Sequence, residues 1–265
     1  MEYGNPASLV TPLGTLTFNG GGDGLRLSGV SGMGGASVRA PIDSTPQRDG
    51  AILHRFFYGA RHVTLEGQVK AATLAARATL LDDLKGHAHA ILRADGRLYF
   101  TPTGLPERFV TVRLAEPVQI GGGPGPVKTF QLALVSGDPY AYGAAEIETV
   151  IADGATTAIA NDGNAPNYAV FKVYGPCTSF TITNGTSGKL ISASGLSLGG
   201  GEYAEIVTAW ETIYKNGDGA NLLGYLDFAA DDMEFFPLNP GSNSITFDAD
   251  DGAASLTVLS NHAWV

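Results

Sequence analysis

The side chains that could carry acid–base or metal chemistry fall in no catalytic motif of this sequence. The chain has five histidines, at His54, His62, His87, His89 and His262. Two of them, His87 and His89, flank one residue near the end of a predicted helix. There a contact with the helix dipole, or plain exposure, explains them better than a two-ligand metal site. The Gly-x-Ser-x-Gly turn of serine hydrolases does not occur. The sequence therefore predicts no catalytic residues.

Carboxylates are abundant in the second half of the chain, and a glycosidase needs two of them across a sugar cleft. A pair could be drawn from six acids, namely Glu202, Glu205, Glu211, Asp231, Asp232 and Glu234. Acid-rich loops are more often solvated surface than active sites. We therefore predict that the protein is not an enzyme.

Residues 248–252 bring Asp248, Asp250 and Asp251 close together before a glycine, as in a calcium loop. The spacing to the bidentate glutamate of an EF-hand is missing, and a β-turn between strands explains the same residues. We predict no metal and no cofactor.

Aromatic side chains with polar edges offer one alternative to a structural role. Tyrosine and tryptophan present a flat apolar face with a hydrogen-bonding group, which suits contact with saccharides. The candidate contacts are Trp210, Tyr214 and Tyr225. The alternative function is adhesion by carbohydrate binding, with a cell-wall saccharide as the ligand, through the C-terminal part of the chain.

Composition indicates a β-rich globular protein. The chain has 36 glycines and 14 prolines, only 16% of it is charged, and 44% is hydrophobic. Abundant turn residues favour many short strands, and the apolar content excludes disorder. Because 265 residues exceed the usual domain of roughly 100–200 residues, we expect two domains.

Charge is distributed unequally along the chain. Residues 1–143 carry 13 Lys and Arg against 11 acids, a net charge of +2, whereas residues 144–265 carry 3 Lys against 15 acids, a net charge of −12, which together give the −10 of the whole chain. This step places the domain boundary near residue 143. An acidic protein lacks the clustered cations that bind phosphates, so we expect no specific nucleic-acid binding.

The single cysteine, Cys177, excludes an intramolecular disulfide and is expected to be a buried apolar side chain. No segment approaches the roughly 20 apolar residues of a membrane helix, and the first ten residues do not resemble a signal peptide. We expect synthesis in the cytosol and no membrane insertion.

Periodicity predicts the elements that would position these side chains. Leu74, Ala78, Leu81, Leu84 and Ala88 recur at helical spacing, which indicates an amphipathic helix over about residues 71–89. Alternation of apolar and polar residues over 62–70 is typical of a half-buried strand. Residues 90–93 and 98–100, separated by Asp95-Gly96, are expected to form a hairpin. The glycine- and proline-rich stretch 121–126 is expected to be a hairpin loop.

The order of several short motifs resembles the distal tail protein family of long-tailed bacteriophages. In the first half these are Arg48-Asp49-Gly50, Tyr58-Gly59-Ala60-Arg61, Val63-Thr64-Leu65-Glu66-Gly67, residues 92–100 and Asp138-Pro139-Tyr140. In the second half they are Gly163-Asn164-Ala165-Pro166, residues 236–243, Ile245-Thr246-Phe247 and Trp264. The resemblance covers nearly the whole chain.

The resemblance implies a mainly β fold with two domains. Residues 1–143 would form a ring-forming β-sandwich with one α-helix, and residues 144–265 a jelly-roll domain similar to galectins and carbohydrate-binding modules. The acidic second domain would project into solvent.

The resemblance also implies a structural virion protein at the distal end of the tail. The partners that the resemblance implies are further copies of the chain in a six-fold ring, the tail tube, the tape-measure protein and the tip or receptor-binding proteins. The protein would be synthesised in the host bacterial cytoplasm. DNA would pass through the central channel.

Overall fold

A computed structural model describes residues 6–44, 49–122, 127–217, 219–230 and 232–265. Arg48, loop residues 123–126 and Asp231, which the sequence analysis singled out, lie outside the described residues. The chain falls into two compact units, Met1–Ala144 with Val265, and Ala145–Trp264. We call them the N-terminal unit and the C-terminal unit. Both are built mainly from strands, and one α-helix lies among the described residues, so the prediction of a mainly β chain with one α-helix is confirmed.

The strands of the N-terminal unit are mostly short and antiparallel. They are β1 (Pro6–Thr11), β2 (Gly14–Thr17), β3 (Gly24–Ser31), β4 (Val38–Arg39), β5 (Ile42–Ser44), β6 (Ala51–Leu53), β7 (Phe57–Tyr58), β8 (Arg61–Lys70), β9 (Gly96–Phe100), β10 (Arg108–Leu114), β11 (Gln119–Gly121), β12 (Val127–Ser136) and β13 (Ala141–Gly143).

The main sheet of this unit runs in the order β2-β1-β9-β10-β12-β8-β3, with β11 also paired to β12 and β13 to β10. Strand β8 pairs with β12 along its full length. Its alternate side chains Val63, Leu65 and Val69 are buried, as the period-two pattern predicts. Apolar side chains of β1, β8, β9, β10 and β12 share one core cluster.

Helix α1 (Leu74–Ala90) begins where Thr73 caps it, because the Thr73 hydroxyl accepts a hydrogen bond from the Ala76 N–H at 3.1 Å. The predicted helix is therefore confirmed to within a few residues. The predicted apolar stripe is only half right. Leu84 and Ala88 are buried in the core, whereas Leu74 and Ala78 are exposed, since the helix is buried along its C-terminal half only.

The predicted hairpin over residues 90–100 is wrong. Ala90 is the last residue of α1, and Ile91 follows it as a fully buried cap whose N–H donates to His87 O. Residues 91–93 form a turn, and only 96–100 form a strand, β9. Of the predicted loop 121–126, Gly121 ends β11 and Gly122 is the last described residue before the gap.

The C-terminal unit contains ten strands among the described residues and two short 3₁₀ helices, Thr208–Trp210 and Leu223–Tyr225. The strands are β14 (Ile147–Ala152), β15 (Ala155–Asn161), β16 (Val170–Tyr174), β17 (Cys177–Asn184), β18 (Lys189–Leu198), β19 (Tyr203–Val207), β20 (Thr212–Lys215), β21 (Gly241–Ala249), β22 (Ser255–Ser260) and β23 (Ala263–Trp264).

Two antiparallel sheets share the core of this unit. One has the order β14-β22-β16-β19-β20 and the other the order β15-β21-β17-β18. Each sheet contributes alternate side chains to a single buried cluster, for example Phe171, Ile206 and Val258 from the first sheet and Ile182 and Phe247 from the second. The cluster also includes Cys177, as expected. Among the described residues no helix is long and apolar enough to span a membrane.

Candidate functional site

A segment of the N-terminal unit that we call the arm extends between β3 and β8. It comprises residues 34–60, of which 34–44 and 49–60 are described. Strands β4 and β7 form one two-stranded ribbon, and β5 and β6 form a second, each outside the main sheet. The described strands of the arm therefore pair with each other in two ribbons of their own.

Many of the described side chains of the arm are apolar and exposed. Seven large apolar residues are between 43% and 66% exposed, namely Val38, Ile42, Ile52, Leu53, Phe56, Phe57 and Tyr58. Two-stranded ribbons in water are marginally stable when no core covers them. Large exposed apolar patches are one feature of protein–protein contact sites.

Hydrogen bonds close the root of the arm. Ser37 donates through its hydroxyl to Ala60 O at 2.9 Å, and Gly59 N–H donates to Ser37 O at 2.7 Å, so the two ends of the arm are joined. Arg61, which follows the arm and is 1% exposed, donates to Met33 O at 3.1 Å and to Pro139 O at 2.7 Å. These bonds of Arg61 hold the residues on either side of the arm to the unit.

Arginines and aromatic rings line a cavity of about 580 Å³ at the inner end of the arm. The Arg55 guanidinium lies 5.7 Å from the centre of the Phe57 ring, and Tyr58 meets Tyr140 edge-on at 6.3 Å between ring centres. Neither Arg39 nor Arg55 has a carboxylate partner among the residues that the structure describes. Exposed arginine beside tyrosine and phenylalanine is the composition enriched at protein–protein interfaces.

Sequence reasoning missed the arm as a functional element. It used Arg48-Asp49-Gly50 and Tyr58-Gly59-Ala60-Arg61 only as parts of motifs, and His54 only as one of the histidines. A signal was present, because Phe56, Phe57 and Tyr58 are consecutive and follow Ile52 and Leu53 by a few residues. A run of this kind predicts burial, and the structure shows that this chain does not supply the cover.

The carboxylates considered for a glycosidase are mostly engaged with lysines. Glu202 lies 2.8 Å from Lys215 Nζ and Glu205 lies 3.2 Å from Lys172 Nζ. The hydrogen bond from Lys215, then that from the Gly199 N–H, lowers the pKa of Glu202. A general acid of a glycosidase needs a raised pKa instead, so Glu202 does not suit that role.

The other described acids of that set also have structural roles. Lys189 Nζ lies 3.2 Å from Asp232 and 3.3 Å from Glu234. Glu211 has a positive φ of 52° and closes the turn after the first 3₁₀ helix. Asp231 lies outside the described residues. All three lysines of the C-terminal unit are thus paired with acids, which leaves its remaining carboxylates as a net negative surface.

Residues 248–252, which the sequence analysis compared with a calcium loop, include a turn held by one of their own carboxylates. Asp250 accepts hydrogen bonds from the Thr178 hydroxyl, the Ser179 N–H and the Thr178 N–H, which together lower the pKa of Asp250 to about 2. Within the described ranges, no cluster of three or more His, Cys, Asp or Glu side chains could hold a metal ion.

The histidines singled out in the sequence lie in separate local contacts. His87 Nδ1 is 2.7 Å from the Thr11 hydroxyl, which ties α1 to β1. His54 is 2.7 Å from Asp43 on the arm, and His262 is 3.4 Å from Asp162 in the C-terminal unit. His89 is exposed in the last turn of α1.

The three candidate saccharide contacts lie on different elements. Trp210 is 78% exposed at the turn between β19 and β20, and Tyr225 is 43% exposed in the second 3₁₀ helix. Tyr214 is half-buried on β20. No aromatic ring contact between described residues joins any two of them. Saccharide contact through these residues stays a prediction, and quenching of tryptophan fluorescence by cell-wall saccharides would test it.

Comparison with known protein families finds a match within the C-terminal unit. Residues 162–264 match the model of the siphovirus-type tail component, C-terminal domain. This match confirms the resemblance that the sequence motifs suggested. No curated protein matches the chain in sequence.

Solved structures share the fold over both units. The crystal structure of the SPP1 Dit protein, described as a paradigm of the hub adsorption apparatus in phages that infect Gram-positive bacteria, is 17% identical, with a TM-score of 0.66 over 91% of this chain and 94% of that one. Two structures of the phage p2 baseplate in its activated conformation each reach a TM-score of 0.52 at 11% identity. They cover 92% and 95% of this chain, and 92% and 96% of the phage p2 chains. The fold is therefore that of phage Dit proteins, and the chain is similar to tail components of the siphovirus type.

Proposed function

We propose that this protein is a structural subunit of a phage tail tip, in which six copies form a ring that joins the tail tube to the baseplate or tip proteins. The ring would continue the channel of the tail and let DNA pass. Its partners would be further copies of the chain, the tail tube, the tape-measure protein and the tip or receptor-binding proteins.

The exposed arm is the observation that carries this proposal. A chain that acted alone would leave the seven apolar side chains of the arm in water, whereas a subunit would bury them against a neighbour. A stable interface buries above about 1,000 Å², and an extended arm adds such area without enlarging the core. The Dit-like fold over more than nine-tenths of the chain supports the same reading.

The strand orders of the C-terminal unit support its assignment as a jelly roll. In both sheets, strands from the first part of the unit alternate with strands from its last part, as β14-β22-β16 and β15-β21-β17 do. Such alternation arises when a long hairpin folds over on itself into two packed sheets. We propose that this unit is a galectin-like spacer with an acidic surface, and carbohydrate binding is the less favoured role.

Labelling of intact phage particles tests the location. Antibodies raised against the purified protein and visualised with gold should mark the distal end of the tail in electron micrographs. Antibodies against a capsid protein of the same phage serve as the matched control. Label on the capsid or along the tail shaft, without label at the tip, would be incompatible with the proposal.

A further inference from the structure

The N-terminal unit carries a second unoccupied apolar surface, which we call the helix-end pocket. It lies at the C-terminal end of α1 and beyond the end of β10, with a volume of about 400 Å³. Leu92, Leu114 and Val118 supply apolar walls, and His89, Lys85 and Glu116 stand around them. Leu92 is 46% exposed, so the pocket opens to solvent.

We infer that the helix-end pocket of one copy receives the arm of the next copy, through Phe56 and Phe57. The inference rests on the proposed ring and names the two surfaces that close it. Phe56 is 49% exposed and Phe57 is 51% exposed, so about half of each ring remains open to a neighbouring copy. The pocket is apolar and wide enough for an aromatic ring.

Charge complementarity supports the same pairing. Arg39 and Arg55 of the arm have no carboxylate partner among the described residues, and Glu116 beside the pocket has no cationic one there. Lys85 is already engaged, 3.7 Å from Asp82 on its own helix. Arg55 and Glu116 can therefore pair across an interface without breaking an existing ion pair.

A contact between the arm and the helix-end pocket would join two different surfaces of the chain, which is what a ring requires. The arm cavity and the helix-end pocket share no lining residue. A contact between two different surfaces of identical subunits is heterologous, and it closes into a ring when the rotation between neighbours permits. An arm that packed on a second arm would instead stop at a two-fold dimer.

Disulfide trapping tests the contact directly. Phe57→Cys and Leu92→Cys are made in separate chains that carry different affinity tags, mixed in equal amounts and treated with a mild oxidant. Native Cys177 is 3% exposed and gives little background. The matched control replaces Leu92→Cys by Leu105→Cys, because Leu105 is a comparably exposed leucine, at 43%, outside both surfaces.

The inference predicts that disulfide-linked chains with both tags form at least several-fold faster with Leu92→Cys than with Leu105→Cys. Equal rates, or cross-linking of Phe57→Cys mainly to itself, would overturn the inference. Charge exchange gives a second readout. Arg55→Glu and Glu116→Arg should each weaken assembly, and a chain with both changes should regain it.

Failure of this inference can be told apart from failure of the proposed function. If the wild-type protein forms rings but the Phe57→Cys and Leu92→Cys chains form no disulfide with each other, the contact is refuted and the ring stands. Absence of rings and of any cross-linked chains would count against both.

Discussion

Replacement of Asn161 by alanine should strongly destabilise the C-terminal unit. Asn161 is fully buried and makes four hydrogen bonds. Its Nδ2 donates to Ala165 O at 2.8 Å and Leu238 O at 3.0 Å, and its Oδ1 accepts from the N–H groups of Gly163 and Ala263, both at 3.1 Å. The side chain thus joins the end of β15 to two distant segments of the unit.

The expected cost follows from the number of groups left without partners. Each hydrogen bond contributes about 1 kcal/mol net, and a buried group without a partner costs about 1–3 kcal/mol. Leu238 O keeps a second donor, the Asn167 N–H at 2.9 Å. We expect Asn161→Ala to lower the free energy of unfolding by about 4 kcal/mol. For a unit of this size that corresponds to a decrease in Tm of roughly 15 °C.

Tryptophan fluorescence during urea unfolding measures this change specifically. Both tryptophans, Trp210 and Trp264, belong to the C-terminal unit, and Trp264 is only 9% exposed. The matched control is Asn221→Ala, because Asn221 is exposed and its side chain accepts one hydrogen bond, from the Leu223 N–H at 2.8 Å. The control should cost no more than about 1 kcal/mol. Equal costs for the two variants would refute the reasoning.

Three further predictions concern single sites. The pKa of Asp250 is about 2 in the folded protein, below the value of roughly 3.9 in an unfolded chain. The ionised Asp250 carboxylate therefore stabilises the fold fully above a pH of about 3.9, and this stabilisation is lost as pH falls through about 2. Urea unfolding should therefore show that Asp250→Ala is less stable than wild type at pH 5, by a difference that shrinks towards pH 2. The control Asp248→Ala should show no loss of stability. A difference between Asp250→Ala and wild type that grew on acidification would contradict this. Gly32 has a φ of +84°, and an added Cβ would lie 1.7 Å from His62 O, so Gly32→Ala should lower Tm measured by circular dichroism, and an unchanged Tm would be contrary evidence. Burial raises the pKa of Cys177 to about 11, helped by the charges of Asp250 and Asp251, so a thiol reagent at pH 8 should react with the unfolded protein only, and rapid reaction with the native protein would disprove this.

Local patterns were sufficient to predict many of the regular elements. Strand β8 follows its period-two alternation, and α1 follows its helical spacing because one face of each element meets the core. In these segments burial and sequence periodicity agree.

Other segments depended on tertiary contacts that periodicity does not contain. Residues 90–93 look like a strand before Asp95-Gly96, yet α1 continues to Ala90 because Ile91 is buried in the core as its cap. Strands β14 and β15 are joined at Asp153-Gly154, and the small alanine and threonine side chains of β15 give that strand a weak apolar pattern.

The candidate site was the least predictable part. The apolar residues of the arm read as core, because sequence alone does not say whether a cover comes from the same chain or from another. Likewise Trp210, Tyr214 and Tyr225 are close in sequence, but their elements place them on a turn, a strand and a 3₁₀ helix. Spacing along the chain did not predict those positions.

The mass of the purified protein, measured by light scattering with negative-stain images of the same sample, tests the central claim most directly. We predict rings with a central hole and a mass of six times 27.4 kDa, about 164 kDa. The double variant Phe56→Ser, Phe57→Ser should fall to the mass of a monomer, and Leu105→Ser should keep the ring. A 27.4 kDa monomer without rings at every concentration, alone or mixed with the tail-tube protein, would contradict the account.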